Sequence, residues 1–204
     1  MDSVEYCDVA LYLLSIGNEG SIMNATVIKP LRLESLEDGV PVIPQQAAGF
    51  YKQNCMVCLD NQKHKSGVRL KVKHYDDSDV MFQVLWDDKV TDELRRAYAD
   101  LVKATENAAC TIALLIVREI TDFTAIEQAC RGTTIDYYLA YKDEIDDLIF
   151  NRAARLEASG ILQKDESNTI DGRIKEKQKR LKPGLPTFII VVEFSCPMSK
   201  VVKV

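Results

Sequence analysis

Alternating apolar and polar residues mark a β-hairpin in the first half of the chain. In "GVRLKVKHY", Val68, Leu70 and Val72 share one face and basic residues occupy the other. The turn-forming "DDSD" follows, and the apolar "VMFQVLW" returns as a second strand. The pattern predicts a hairpin over residues 67–86, within a β-rich N-terminal region of residues 1–90. The segments "VALYLLS" and "NATVIKPLRLESL" are further candidate strands in that region.

The second half of the chain shows helical and strand periodicities in turn. A helical pattern begins at Thr91, a good N-cap, and runs to residue 121 without Pro or Gly, becoming apolar on all sides in its second half. The ambiguous "FTAIEQAC" fits a strand or one helical turn, and "IDYYLAY" and "FNRAARLEASGI" fit strands. A basic helix, "DESNTIDGRIKEKQKRLK", precedes the apolar run "TFIIVVEFS", which is typical of a central strand buried on both faces.

These elements predict an α/β fold, in which a mixed central sheet is flanked by helices. Residues 91–204 form the α/β core, and the N-terminal region joins it in one compact unit. The length of 204 residues and a composition of 47% hydrophobic and 28% charged residues allow a sizeable buried core.

Charge and hydropathy narrow the classes of protein that fit. The net charge of −5 excludes a basic nucleic-acid coat, so nucleic acid would have to bind through a local basic patch. No apolar run reaches the roughly 18 residues that span a bilayer. The N-terminus lacks the basic region of a signal peptide. We therefore expect a cytoplasmic protein with no membrane segment.

Cysteines offer a second possible chemistry. Cys55 and Cys58 have CxxC spacing, and His64 and His74 lie downstream. A zinc site needs four ligands in a tight pattern, and this one is loose. Most of the six cysteines lie among hydrophobic neighbours and are expected to be apolar fillers. The segment "CMVCL" is interpreted as a buried strand edge or a turn, which makes zinc a minor alternative.

Two of the predicted strands each carry an acidic residue where an apolar one is expected. Asp136 opens the first strand and Glu157 lies within the second. A buried charge is costly unless it is paired or bound to a metal. Because carboxylates on adjacent strands can converge, we expect Asp136 and Glu157 to hold Mg²⁺ or Mn²⁺. Glu106, at the polar-to-apolar switch of the long helix, is expected to reach over and complete the site.

This arrangement resembles the core of the PD-(D/E)XK, or restriction-endonuclease-like, nuclease superfamily over roughly residues 91–196. In that family a helical glutamate precedes a strand aspartate, and a glutamate follows on the next strand, two residues before a lysine. The resemblance implies that Glu106 is the helical acid and Asp136 the aspartate. The (D/E)XK element then falls on "LEAS", with Glu157 as the acid and Ser159 at the lysine position.

The departure at Ser159 matters, because a lysine can stabilise transition-state charge whereas a serine can only hydrogen-bond. Arg155, on the same predicted face, or Lys164, beyond the strand, is a candidate substitute by position. If neither takes part, the site is inactive. Glu127 replaces Glu106 as the helical acid if residues 123–130 form a helix.

The resemblance implies metal-dependent hydrolysis of phosphodiester bonds, with water activated by the metal and positioned by Ser159 or Arg155. The first 90 residues would read the substrate or bind a partner. The basic helix supplies candidate nucleic-acid contacts, which are Arg173, Lys175, Lys177, Lys179 and Arg180. The alternative is a non-catalytic interaction or structural protein on the same scaffold, forming a homo-oligomer or binding a protein partner through the apolar helix. The acidic net charge and the missing lysine favour that alternative.

Overall fold

A computed structural model describes residues 28–38, 40–144 and 151–204 of the chain. The predicted strand "VALYLLS" lies outside the described residues. Within them, no helix is both long enough and apolar enough to cross a membrane.

The described residues form one mixed sheet of eight strands, with the spatial order β1-β3-β2-β8-β7-β6-β5-β4. The β1/β3, β2/β8 and β6/β7 pairs are parallel, and the other pairs are antiparallel. The strands are β1 (Ile28–Arg32), β2 (Val68–Lys73), β3 (Asp79–Leu85), β4 (Phe123–Gln128), β5 (Tyr137–Tyr141), β6 (Ala154–Ile161), β7 (Thr187–Glu193) and β8 (Met198–Lys203). The predicted hairpin is confirmed as β2 and β3. Through the β2/β8 pair, the N-terminal strands belong to the same sheet as the C-terminal ones.

Helices cover both faces of the sheet, which confirms the mixed α/β class. They are α1 (Gln45–Asn61), α2 (Asp92–Ala97), α3 (Leu101–Ile120) and α4 (Ile170–Arg180), with short 3-10 turns at Leu33–Leu36 and Lys142–Glu144. The main core packs α1 and α3 on one face, and a smaller cluster under Ile174 of α4 fills part of the other. The apolar half of α3 is buried in this core. An oligomer or partner interface through this helix stays a prediction.

The single long helix predicted from residue 91 is wrong, because the chain breaks between α2 and α3. Thr91 does cap α2, since its Oγ1 accepts from the N–H of Leu94 at 3.2 Å. A second cap follows at Asp100, whose Oδ1 accepts from the N–H of Lys103 at 3.2 Å. The predicted helix contains no Pro or Gly, so only this second capping residue signals the restart.

Helix α1 replaces the strand edge or turn predicted around the CxxC pair. Cys55 and Cys58 are fully buried, and Sγ of Cys58 lies 3.8 Å from Oγ1 of Thr105 on α3. Nε2 of His64 lies 3.1 Å from the carbonyl oxygen of Ser195. Burial raises the pKa of Cys55 well above its usual value and that of Cys58 to about 11. Both thiols are therefore protonated packing groups between two helices, as the apolar-filler interpretation expects.

Candidate functional site

The candidate site is located where the pairing between β5 and β6 ends. Their paired registers run only from Tyr137 opposite Leu156 to Leu139 opposite Ala154. Strand β6 continues to Ile161, where it still pairs with β7. On its other edge, the second half of β6 therefore lacks a partner on β5, and a cleft opens there.

Asp136 lies at the start of this opening and is held by the backbone of β6. Its own N–H donates to the carbonyl oxygen of Leu156 at 2.9 Å. Its Oδ2 accepts from the N–H of Ala158 at 2.8 Å. The Asp136 carboxylate thus takes the place of a β5 carbonyl oxygen as the acceptor for the Ala158 N–H. This hydrogen bond fixes the carboxylate at the end of the β5/β6 pairing.

Glu157 lies on the sheet face that α4 covers. Side chains alternate along a strand, so Leu156 and Ala158 pack into the main core while Glu157 lies on the opposite face. The Glu157 side chain is only 8% exposed, and its Oε1 accepts from Nζ of Lys177 at 2.5 Å. A cation from α4 therefore reaches the acid of the predicted (D/E)XK element.

The two acids interact directly, and their effects on each other differ: Asp136 makes Glu157 harder to ionise, whereas the hydrogen bond with Glu157 favours the ionised form of Asp136. Their carboxyl groups are joined by a hydrogen bond. The pKa of Glu157 is raised to about 7, first by burial and then by the charge of Asp136, although the Lys177 ammonium acts in the opposite direction. Burial also raises the pKa of Asp136, against the effect of the Ala158 N–H and Lys177. Near neutral pH the pair therefore shares about one proton.

Two clefts meet at this pair. The first, of about 750 Å³, lies between the N-terminal half of α3, the end of β6 and α4. The second, of about 660 Å³, lies between the loop before Asp136 and α4. Asp136, Lys177 and Arg131 line both of them.

The structure places Glu106 on the wall of the first cleft but does not bring it into the acid pair. It is exposed on α3. Within the described ranges, no group of three or more His, Cys, Asp or Glu side chains lies close enough together to hold a metal ion. Two of the three predicted metal ligands, Asp136 and Glu157, therefore meet, and the third stands apart from them.

Ser159 and Arg155 have different surroundings although both share the Glu157 side of β6. Ser159 is 8% exposed and lines the first cleft. The Arg155 guanidinium instead donates to the carbonyl oxygens of Leu185 and Lys182 at 3.0 and 3.1 Å, and to Oγ1 of Thr187 at 2.8 Å. Arg155 therefore holds the loop that enters β7, and its predicted part in positioning water has no support.

Glu127, the alternative candidate for the helical acid, lies in a strand and forms an ion pair. Residues 123–128 form strand β4, and Glu127 makes two hydrogen bonds to Arg152, at 2.7 and 2.8 Å. Because this exposed ion pair occupies both carboxylate oxygens, Glu127 belongs to the edge of the sheet.

Helical spacing divides the predicted nucleic-acid contacts into two sets. Arg173, Lys177 and Arg180 lie on one side of α4 and line the clefts. Lys175 and Lys179 are exposed, and neither is among the lining residues of the two clefts. The five residues predicted as one patch therefore include three that line the clefts beside the acid pair.

Sequence reasoning named Lys177 only as a nucleic-acid contact and missed its place beside Glu157. The signal was present in the helix itself. Ile170, Ile174 and Leu181 form an apolar stripe that packs on the sheet, and Lys177 interrupts that stripe at i+3 from Ile174. A lysine in the buried stripe of a helix predicts an acidic partner on the surface beneath it.

Comparisons with known proteins add no assignment, since no family model, curated protein or solved structure matches this chain.

Proposed function

We propose that the protein is a metal-dependent nuclease, which hydrolyses phosphodiester bonds of nucleic acid on a scaffold that resembles the PD-(D/E)XK core. The observation that carries the proposal is the convergence of Asp136, Glu157 and Lys177 where two clefts meet. Their positions follow the resemblance, except that the lysine comes from α4 rather than from the strand. A cytoplasmic location is part of the same proposal.

The acid pair has the donors that Mg²⁺ or Mn²⁺ prefers. Mg²⁺ is often held by one or two carboxylates, with water and substrate phosphate completing its shell. Asp136 and Glu157 would hold the ion. The Ala158 carbonyl is a further candidate, because its N–H points at Asp136 and both polar groups of a strand residue point to the same edge. When bound, the ion would polarise the phosphoryl group and lower the pKa of a bound water.

The remaining residues act on charge and position. Lys177 supplies the cation that Ser159 cannot, and its ammonium would stabilise negative charge developing on the phosphoryl oxygens. The Ala158 N–H keeps the Asp136 carboxylate oriented. Ser159 and Glu106, on the walls of the first cleft, would hydrogen-bond to water there.

The alternative function, a non-catalytic protein on a degenerate scaffold, is favoured by one specific observation. Among the described residues the acid pair has no third carboxylate, and Lys177 already compensates part of its charge. In that case Lys177 and the shared proton would stabilise the pair permanently, and no cation would enter.

Ion binding and hydrolysis separate the two functions. Mn²⁺ at 100-fold over its Kd should stabilise the native chain by about 2.7 kcal/mol. That raises Tm by roughly 5–10 °C for a chain of this size. Asp136→Asn should abolish the shift, and the control Glu176→Gln, an exposed acid of α4, should keep it. Equal shifts in all three proteins would contradict a specific site.

Cleavage of a fluorescent oligonucleotide is the second measurement. The proposal expects products with Mg²⁺ or Mn²⁺, none with a chelator, and none from Asp136→Asn. Metal binding without any cleavage would favour the alternative function.

A further inference from the structure

The two clefts adjoin at the acid pair, one on each side of Asp136 and Lys177, and are called here the two arms of a groove. They share Arg131, Asp136 and Lys177, so each cleft begins where the other ends. One arm runs along α3 and the loop after β6. The other runs along residues 128–135 and the C-terminal half of α4. A polymer bound at the acids can therefore extend in both directions.

Each arm carries an arginine from a different turn of α4. Arg173 lines the first arm, and its Nε donates to the neutral Oδ1 of Asn168 at 2.9 Å. Arg180 lines the second arm, and its only ion pair among the described residues is to the exposed Glu176 at 2.6 Å. Such surface pairs contribute little and give way to a phosphate.

Arg131 lines both arms. It is exposed on the loop before Asp136, and the ion pairs found among the described residues do not include it. The loop is shaped by left-handed backbone at Gly132 and Thr134, with φ of 94° and 65°. Within the described part of the chain, the two arms together present four cations and three acids, although the whole chain has a net charge of −5; they are Arg131, Arg173, Lys177 and Arg180, and Glu106, Asp136 and Glu157.

We propose that the substrate is a single strand of nucleic acid that lies along both arms, so that cleavage is endonucleolytic. This inference rests on the proposed function. The scissile phosphate has to reach an acid, Glu157, that is 6% exposed and covered by α4. A single strand bends into such a recess, whereas duplex DNA is stiff over about 150 bp. Val102, which is 75% exposed at the first arm, offers an apolar contact to a base.

The cleavage experiment compares four substrates of one sequence with the full chain and Mn²⁺. They are a linear single strand, the same strand circularised, a linear duplex and a circularised RNA strand. The inference expects circular single strands to be cut as readily as the linear strand, and the duplex to be cut more slowly. The RNA circle shows whether the sugar is discriminated.

Binding by the uncleaving Asp136→Asn protein tests the two arms separately. For a single strand, the slope of log K against log salt is about −0.7 for each phosphate contact. Arg173→Ala and Arg180→Ala should each reduce its magnitude by about 0.7, and the double variant by about 1.4. Lys175→Ala and Lys179→Ala, on the side of α4 away from the clefts, are the matched controls and should leave the slope unchanged.

The outcomes are distinguishable. Linear strands shortened from an end, with circles left intact, would overturn the two-arm groove but keep the nuclease. Preferential cleavage of the duplex would overturn the single-strand assignment. Equal slopes for the Arg173 and Lys175 variants would show that the groove does not bind the backbone. Absence of metal-dependent cleavage on every substrate would end the proposed function, and this inference with it.

Discussion

Two glutamates on neighbouring strands are almost fully buried, Glu157 in β6 and Glu193 at the end of β7, yet their surroundings differ. Glu193 is 2% exposed. Its Oε1 accepts from the hydroxyl of Ser195 and, at 2.9 Å, from the N–H of Cys196. Both donors lie within three residues along the chain, so the turn between β7 and β8 accounts for the buried charge.

The partners of Glu157 come from distant parts of the chain. Lys177 lies on α4, and Asp136 precedes β5. Asp136 beside the buried Glu157 makes ionisation of Glu157 more costly. The turn around Glu193 needs no such second carboxyl. Burial alone therefore does not mark a functional acid. The distinguishing feature is a pair of carboxyls and a cation that converge beside an open cleft.

Removing the charge of each glutamate should give the largest contrast. Glu157→Gln is expected to lower the rate of metal-dependent hydrolysis by at least about 100-fold, because an amide is a poor ligand for a hard cation. Glu193→Gln should leave the rate unchanged and lower the free energy of unfolding by about 1 kcal/mol, since two hydrogen bonds to a charged acceptor weaken. Oligonucleotide cleavage and urea unfolding measure the two effects. Similar rate losses in both variants would contradict a functional difference between Glu157 and Glu193.

Lys177 gives the next contrast, with Lys179 of the same helix as its control. Lys177→Met should lower the hydrolysis rate by roughly 100-fold, because it removes the cation that is ion-paired with Glu157. It should also raise the pKa of Glu157 further and move the acid limb of the pH–rate profile upward. Lys179→Met changes an exposed position and should do neither. An unchanged profile for Lys177→Met would exclude Lys177 from the site.

Strong periodicity predicted much of the fold. The hairpin and the fully buried β7 were found as expected, and the strand predicted over "FNRAARLEASGI" forms as β6, from Ala154 to Ile161. Helix α1 was missed because Gly49 lies inside it, and its N-cap, Pro44, makes no side-chain cap hydrogen bond. Packing against α3 stabilises that helix, and local sequence does not report such a contact.

The candidate site was predicted in part. Alternation along a strand places Glu157 on one face, and the strand order brings Asp136 beside it, so the pair could be expected. Helical position does not give the distance across a cleft, and Glu106 consequently stands apart. Arg155 shares the face of Glu157, but its long side chain turns to nearby carbonyl oxygens, which no spacing rule anticipates.

The shared proton predicts how stability depends on pH. The pKa of Glu157 is about 7 in the folded chain and about 4.3 in an unfolded one, so the folded state binds more protons between these values. Stability should therefore fall as pH rises from about 4.5 to 7 and level off above 7, by roughly 4 kcal/mol at most. Glu157→Gln should remove this part of the slope, whereas Glu193→Gln should retain it.

Urea unfolding at a series of pH values measures that slope. Saturating Mn²⁺ should flatten it at the upper end, because the cation replaces the shared proton. A slope that is identical in native chain and Glu157→Gln would show that the acids ionise independently of each other.

The smallest effect tests how closely β6, the strand that carries Glu157, is packed against α3. A Cβ at Gly160 of β6 would lie 2.5 Å from the carbonyl oxygen of Thr105 on α3. Gly160→Ala should therefore push α3 from the sheet beside the cleft and lower the free energy of unfolding by about 1–3 kcal/mol.

Gly49→Ala is the matched control, because nothing lies within 4 Å of its Cβ. In the interior of α1 it should stabilise the chain by about 0.5–1 kcal/mol. Urea midpoints at constant m-value measure both changes, and a neutral Gly160→Ala would show that α3 has room to move at the site.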